Sequence, residues 1–239
     1  MLVAAAVCPC PPLLVPEVAA GAAPELEPVR AACADAIGAL AAARPDRLVV
    51  VGPAEGAGSE VYPEGAPGGF QGFGVDVRVR LGQHKDAGAV ADLRLPYGLA
   101  VGAWLLERAG WTGPVDGLGV GDALPPETCA ALGRDLTSGA VRTALLVLGD
   151  ASACRTLKAP GYLDERAAPF DAAVGRALGA ADGTALAALD TGLARELQVS
   201  GRAPWQVLAG AAEGAALTGT PRYEDAPYGV GYVVASWAA

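Results

Sequence analysis

The stretch Leu146-Val-Leu-Gly-Asp-Ala-Ser-Ala-Cys-Arg155 carries an apolar run that stops at a glycine and an aspartate. A short apolar run bounded by turn residues is typical of a buried strand, so the sequence predicts a strand over Ala144–Leu148. Two earlier apolar runs end in the same abrupt way. Leu2–Val7 precedes Cys-Pro-Cys-Pro-Pro, and Arg47–Val51 precedes Gly-Pro-Ala-Glu. These three runs predict three strands of one sheet.

Helical patterns alternate with strand patterns along most of the chain. A first helix begins near Pro28, because proline is favoured in the first helical turn and apolar residues then recur at helical spacing. Further strands are predicted over Gly74–Leu81, Val115–Val120 and Gly229–Ala235, and further helices over Leu99–Ala109, Pro126–Thr137, Ala167–Leu178 and Trp205–Ala216. The Gly- and Pro-rich segment Gly52–Gly72 predicts a long loop. This alternation favours a single layered α/β domain over residues 1–239, with a largely parallel or mixed central sheet flanked by helices.

The composition limits the classes of partner. The chain has 239 residues, 52% of them hydrophobic, which is enough for one full core. Its 26 acidic and 17 basic residues give a net charge of −9, which disfavours binding to nucleic acid. The apolar start Met1–Val7 is too short for a signal peptide or a membrane span. We therefore expect a cytoplasmic protein that binds neither nucleic acid nor membrane, with five free cysteines. A homo-oligomer is compatible with the sequence.

Five segments in order resemble a known superfamily. Besides the three strand ends, these are Val199-Ser-Gly-Arg-Ala-Pro-Trp205 and the tail Tyr223-Glu-Asp-Ala-Pro-Tyr-Gly-Val-Gly-Tyr-Val-Val-Ala235. Together they resemble the LigB-type class III extradiol ring-cleavage dioxygenases and the related Memo-like proteins over nearly the whole chain. The resemblance implies a LigB-like α/β fold with a cleft at the carboxyl ends of the parallel strands. It also implies that the loops after Leu2–Val7, Arg47–Val51 and Ala144–Leu148 converge there.

The same resemblance implies an iron site that this sequence does not preserve. Ring-cleaving members are similar in holding Fe(II) with two histidines and a carboxylate. Cys10 stands at the first histidine position, Ala54 or Glu55 at the second, and Ala153 at the position of the acid/base histidine. The only histidine of the chain is His84, which we interpret as an exposed loop or strand-end residue. Fe(II) is therefore not expected, and neither is any other cofactor.

Three cysteines offer an alternative kind of site. Cys8 and Cys10 end one predicted strand, and Cys154 follows another, so a zinc or copper(I) site or a nucleophilic thiolate is the alternative to a site without metal. The competing interpretation is that Cys8 is a buried apolar residue and that Cys10 fills the space of a lost imidazole. Glu55 and Glu196 are the candidate carboxylate ligands. Glu196 is equally compatible with a solvated helix surface.

The remaining candidates are polar residues that the resemblance places around the cleft. Asp150 either faces the cleft or binds loop amides, and Tyr97 either lines a pocket or packs. Ser152 lacks the surroundings of a hydrolase nucleophile, and Ser200 stands where Memo-like proteins have cysteine. Arg202 either holds an anionic group with the following helix or forms an ion pair with Asp150 or Glu196.

These residues lead to two hypotheses about function. The leading one is a relative of the dioxygenases that has lost the iron site and keeps the cleft for a small polar or aromatic ligand, or serves as a scaffold. The alternative is an oxidoreductase or other enzyme of the same superfamily with an altered cysteine and carboxylate site, or with a cysteine nucleophile.

Overall fold

The apolar runs form the centre of a seven-stranded mixed sheet in the computed structural model, which describes residues 1–83 and 93–239. The strands are β1 (Leu2–Cys8), β2 (Arg47–Ala54), β3 (Ser59–Tyr62), β4 (Pro67–Gly69), β5 (Arg78–Arg80), β6 (Val115–Gly121), β7 (Thr143–Leu148), β8 (Thr218–Asp225) and β9 (Tyr232–Ala238). In the large sheet their order is β3-β6-β2-β7-β1-β9-β8, while β4 and β5 form a separate hairpin. The predicted fold class, a single α/β domain with a mixed central sheet and flanking helices, is confirmed.

Four parallel strands make up the core of this sheet. β7 pairs with β1 on one side and with β2 on the other, and β2 pairs with β6, all in parallel. β3 and β9 add antiparallel strands outside them, and β8 pairs with β9 at the edge. The carboxyl ends of β1, β2, β6 and β7 therefore lie along one edge of the sheet.

Helices cover both faces of the sheet. They are α1 (Pro16–Ala19), α2 (Glu27–Ala42), α3 (Tyr97–Arg108), α4 (Pro126–Thr137), α5 (Ala167–Gly179), α6 (Gly183–Ala187), α7 (Thr191–Glu196) and α8 (Arg202–Ala211). In β7, Leu146 and Leu148 belong to the core cluster that includes residues of α2 and α3, while Leu145 and Val147 belong to the cluster on the other face, which includes residues of α4, α5 and α8. This alternation is the period of two expected of a strand, and burial on both faces explains why the run is apolar throughout.

Glycines allow the loop after β7 to touch the start of α8. A Cβ atom on Gly149 would overlap the backbone of Gly201, and one on Gly201 would overlap the ring of Trp205. Another close approach joins α4 to α8, where a Cβ atom on Gly210 would overlap the backbone of Ala130. The first two contacts place the beginning of α8 against the carboxyl edge of the sheet, and the third packs its last turn against α4.

The predicted elements differ from the structure mainly at the periphery. The strand predicted over Gly74–Leu81 is limited to β5, and Gly74, with a left-handed φ of 84°, instead ends a 3-10 turn over Gln71–Phe73. The predicted loop Gly52–Gly72 contains β3 and β4, and the helix predicted over Trp205–Ala216 is α8, which begins and ends earlier. The prediction for His84 lies outside the described residues. Within residues 1–83 and 93–239, no helix has the length and apolar character needed to span a membrane.

Candidate functional site

A cleft of about 450 Å³ lies at the carboxyl edge of the sheet. Residues after β2, at the start of α3, after β6 and around the junction of α7 and α8 line it. Four of the residues predicted from the sequence are among the lining side chains: Glu55, Tyr97, Ser200 and Arg202. The position agrees with the rule that parallel α/β sheets form their sites beyond the carboxyl ends of the strands.

Cys10 and Asp150 meet beside this cleft, although 140 positions separate them in the sequence. The backbone N–H of Cys10 donates to Asp150 Oδ1 at 2.8 Å, and the backbone N–H of Asp150 donates to Ser200 Oγ at 2.9 Å. The loops after β1 and β7 therefore converge as the resemblance implied. The carboxyl group of Asp150 therefore binds a loop amide, which was one of its two interpretations from the sequence. Below, Cys10, Tyr97, Asp150 and Ser200 are called the Asp150 cluster.

Asp150 has an unusual protonation equilibrium. Part of the residue is accessible, but protein surrounds its carboxyl group, and this desolvation raises the pKa of Asp150 to about 7. The hydrogen bond from the Cys10 amide acts in the opposite direction and does not compensate. Among the described residues, no lysine, arginine or histidine forms a salt bridge with Asp150. A buried carboxyl group without a cationic partner, next to a cleft, is typical of functional sites.

The thiol of Cys10 is protected and protonated. Burial raises the pKa of Cys10 well above its usual value, and the neighbouring Asp150 carboxylate raises it further. The Ser200 hydroxyl lowers it by a smaller amount. Reactive cysteines lie in electropositive, accessible surroundings that stabilise the thiolate, and Cys10 has the opposite environment. The structure thus gives no support to a Cys10 nucleophile.

Tyr97 connects the Asp150 cluster to solvent. It begins α3, lines the cleft and is 37% exposed. Burial of its hydroxyl raises the pKa of Tyr97 strongly, with smaller contributions from Cys10 and Asp150, so the phenol is neutral and able to donate a hydrogen bond. Tyr97 and Ser200 are therefore the two members of the cluster that line the cleft.

Ser152 is a correction to the predicted set, because it is not among the residues that line the cleft. It is buried, and its backbone N–H and its Oγ donate to the two carboxylate oxygens of Asp171, each at 2.8 Å. Arg155 Nη1 also donates to Asp171, at 3.1 Å. These bonds attach the loop after β7 to α5. Ser152 therefore holds this loop in place and does not line the cleft.

Cys154 and Glu196 also lie elsewhere. The Cys154 thiol is buried and contacts the carbonyl oxygens of Gly161 and Leu197, each at 3.5 Å. Glu196 is exposed and forms a salt bridge of 2.7 Å with Arg166. This agrees with its interpretation as a solvated helix residue. Among the described residues, Cys8, Cys10 and Cys154, which the sequence offered as an alternative metal or thiolate site, do not form a group that could hold a metal ion. Cys8 interacts with a different cysteine, Cys33. This interaction is the largest cause of the raised pKa of Cys33, and burial raises the pKa further.

Arg202 lines the cleft but makes neither of the predicted ion pairs. Its Nη1 donates to the carbonyl of Leu124 at 2.7 Å and to Gln206 Oε1 at 3.0 Å, and its Nη2 donates to the carbonyl of Asp122. Arg202 therefore fastens the loop after β6 to α8. The expected partners Asp150 and Glu196 do not form salt bridges with it.

Two charged cleft residues were missed by the sequence reasoning. Asp122 follows β6 directly, so the strand-end rule that selected Asp150 applies to it equally. Arg195 lies in α7, a short helix without an amphipathic pattern, and no sequence signal marks it.

The residues at the implied iron positions do not fit Fe(II). Cys10 presents a protonated, buried thiol, Ala153 has no donor atom, and Glu55 is the only exposed carboxylate among them. Outside residues 84–92, no three or more histidine, cysteine, aspartate or glutamate side chains are grouped so that they could hold a metal ion.

Comparison with known proteins shows a similar fold and gives no information about function. The structure is similar to the crystal structure of the uncharacterized protein JW3007 from Escherichia coli K12, with a TM-score of 0.57 and 15% sequence identity. The match covers 99% of this chain and 100% of that chain. At this identity the similarity shows the fold alone. No protein-family model matches the sequence, and the search of curated proteins gives no match.

Proposed function

We propose that this protein binds a small polar or aromatic molecule in the cleft, as a relative of the extradiol dioxygenases that does not cleave rings. The observation that supports this most directly is the Asp150 cluster. A carboxyl group with a pKa of about 7, which forms no salt bridge with a cation in residues 1–83 or 93–239, lies next to Ser200 and Tyr97, and these two residues line the cleft. Such a carboxyl group costs stability, so its presence beside a cleft favours a role in binding.

The kind of ligand follows from the polar groups. Tyr97 and Ser200 line the cleft and carry hydroxyl groups, which can donate to or accept from hydroxyl and carbonyl groups of a ligand. Tyr97 also has an aromatic ring that can pack against another ring. The volume of about 450 Å³ is in the range of sites for small molecules. The proposed place of action is the cytoplasm, where the five free thiols stay reduced.

Catechol is the first ligand to test, because the resembled enzymes act on this ring. With protein purified without a histidine tag, we expect catechol to shift the amide NMR signals of Tyr97 and Ser200 without being consumed. Ser200→Ala should weaken binding about fivefold, as expected for one neutral hydrogen bond. Ser138→Ala is the matched control, since this exposed hydroxyl bonds only the carbonyl of Asp135 at the end of α4. Stoichiometric bound iron together with ring cleavage would contradict the proposal.

A second candidate function is catalysis of proton transfer by Asp150. The specific observation in its favour is the pKa of about 7, which suits a general acid or base near neutral pH. The alternative based on cysteine chemistry finds no comparable support, because the pKa values of Cys10 and Cys154 are both raised, chiefly by burial.

Thiol labelling separates these alternatives. We expect none of the five cysteines to react rapidly with a thiol reagent in the folded protein at pH 7, because all five are buried. After unfolding in urea, all five should react. Cys10→Ala serves as the comparison. Fast labelling of one thiol in the native protein, absent in Cys10→Ala, would restore the cysteine nucleophile as a candidate.

A further inference from the structure

Arg202 is a buried cation that forms no ion pair within the part of the chain that the structure describes. It is 5% exposed, and among residues 1–83 and 93–239 it forms no salt bridge with any carboxylate. Its three hydrogen bonds go to two carbonyls and one amide oxygen. A guanidinium has five N–H donors, so two remain without an acceptor in this part of the chain. Buried charges in proteins are ordinarily paired, because leaving water is costly.

The surroundings of Arg202 favour an anion from outside. Arg202 is the first residue of α8, a helix of ten residues whose amino end carries a partial positive charge. Arg195 is exposed, lines the same cleft and forms no salt bridge with a described residue. The hydroxyl of Ser200 is a further donor on this wall. The exposed Arg195 and the buried Arg202, neither of which forms a salt bridge with a described residue, are independent observations, and both favour a negatively charged ligand.

The acidic residues of the cleft limit how much negative charge a ligand can carry. Glu55 and Asp122 also line it, so the four charged lining residues sum to zero. A dianion would be repelled by both carboxylates, whereas a single negative charge near the arginines makes the site net negative by only one unit. A ligand with one carboxylate and a neutral or cationic remainder matches this arrangement best.

We propose that the cleft takes a small monocarboxylate, whose carboxylate group binds Arg202 at the amino end of α8 with Arg195 attracting it from the exposed side. This inference rests on the proposed binding function and adds the chemical class of the ligand. The carboxylate would accept the free N–H groups of Arg202 and supply the missing counter-charge.

Benzoate and benzamide form the matched pair of probes, because they share size and ring and differ in charge. We expect benzoate to bind about tenfold to a hundredfold more tightly, as charge-assisted hydrogen bonds imply. NMR of the unmodified protein gives a direct readout, since benzoate and not benzamide should shift the Nε–H signal of Arg202. Inorganic phosphate near pH 8, mostly a dianion, should bind more weakly than benzoate.

Variants give a second line of evidence. Arg202→Gln tests the residue itself, but it also removes contacts that fasten the loop after β6. Arg195→Gln is therefore added, because this exposed side chain makes no hydrogen bond with another described residue. The Arg195→Gln variant should bind benzoate about threefold more weakly and should bind benzamide as the parent does. The effect is small because an exposed charge acts at longer range and is screened by salt. Arg176→Gln is the matched control, because Arg176 is exposed on α5 outside the cleft.

The outcomes distinguish the two proposals. Equal affinity for benzoate and benzamide, or binding of catechol alone, overturns the monocarboxylate and leaves the binding function intact. Tighter binding of phosphate than of benzoate also overturns it. If catechol, benzoate and benzamide all leave the signals of Tyr97, Ser200 and Arg202 unchanged at millimolar concentration, the proposed binding function fails as well.

Discussion

Asp150→Asn should raise the free energy of unfolding by about 4 kcal/mol at pH 8. The carboxyl group has a pKa of about 7 in the folded protein, against an ordinary value of 3.8, because it is desolvated. Ionising it in the fold therefore costs more than ionising it in the unfolded chain. Asparagine has nearly the same shape, and its side-chain oxygen can still accept the N–H of Cys10, so the variant removes the cost and retains the contact.

The pH dependence of this gain has a definite sign. Below about pH 4 Asp150 is protonated in both states, so parent and variant should be equally stable. Between about pH 4 and pH 7 the unfolded chain loses its proton and the folded protein keeps it, so the parent loses stability as pH rises. Above about pH 7 both states are ionised and the difference is constant. Urea denaturation of parent and variant at pH 4, 6 and 8 measures the difference directly.

The control for this experiment is an exposed carboxylate. Asp76→Asn alters a group that lies on the surface beside Arg78, whose hydrogen bond lowers the pKa of Asp76. Asp76→Asn should change the free energy of unfolding little at any pH, and any change should be a loss of stability, opposite to the gain expected for Asp150→Asn. A constant difference between Asp150→Asn and the parent from pH 4 to pH 8 would show that Asp150 is not desolvated. The Asp150 cluster would then lose its main property.

A stabilising Asp150→Asn would also bear on function. A carboxyl group that costs the fold several kcal/mol at neutral pH is not maintained for packing, because asparagine would fill the same space. Measuring catechol binding by the same variant distinguishes a role of Asp150 in ligand binding from a role in the fold alone. Loss of binding with gain of stability is the pattern expected of a residue that serves the ligand at the expense of the fold.

The central sheet and the convergence of its loops could be predicted, and particular residues show why. The runs that form β1, β2 and β7 are apolar throughout because both faces are covered, and such runs are recognisable without tertiary information. β8 gives no comparable signal, since it is a mostly exposed edge strand containing a proline and several charges. β3 and β4 are too short to show a period.

The side chains of the site were only partly predictable, for a different reason. Asp150 and Ser152 lie two positions apart in one loop, yet the first contacts Cys10 and the second contacts Asp171 in α5. The strand-end rule places the loop but does not fix which way each side chain turns. That choice depends on a partner 140 positions away for Asp150 and 19 positions away for Ser152, and neither partner is marked in the sequence.

Asp171→Ala should lower the free energy of unfolding by about 3 to 5 kcal/mol, because it removes one partner of a buried ionic network. Asp171 is 1% exposed and accepts three hydrogen bonds, from the backbone and hydroxyl of Ser152 and from Arg155. Alanine would leave the Ser152 N–H and hydroxyl buried without an acceptor and the Arg155 guanidinium without its partner. Urea denaturation at pH 7 measures the loss.

The matched control for Asp171 is Asp164→Ala, which removes an aspartate paired with Arg166 on the surface. Exposed pairs contribute at most about 1 kcal/mol, so this variant should stay close to the parent. Because Asp171 attaches the loop after β7 to α5, its loss should also loosen Asp150 two residues before Ser152, and hydrogen exchange at the amides of residues 150–155 should accelerate more than elsewhere. Equal losses for the two aspartates would mean that the Asp171 network does not hold this loop, and the rigid placement of Asp150 beside the cleft would need another cause.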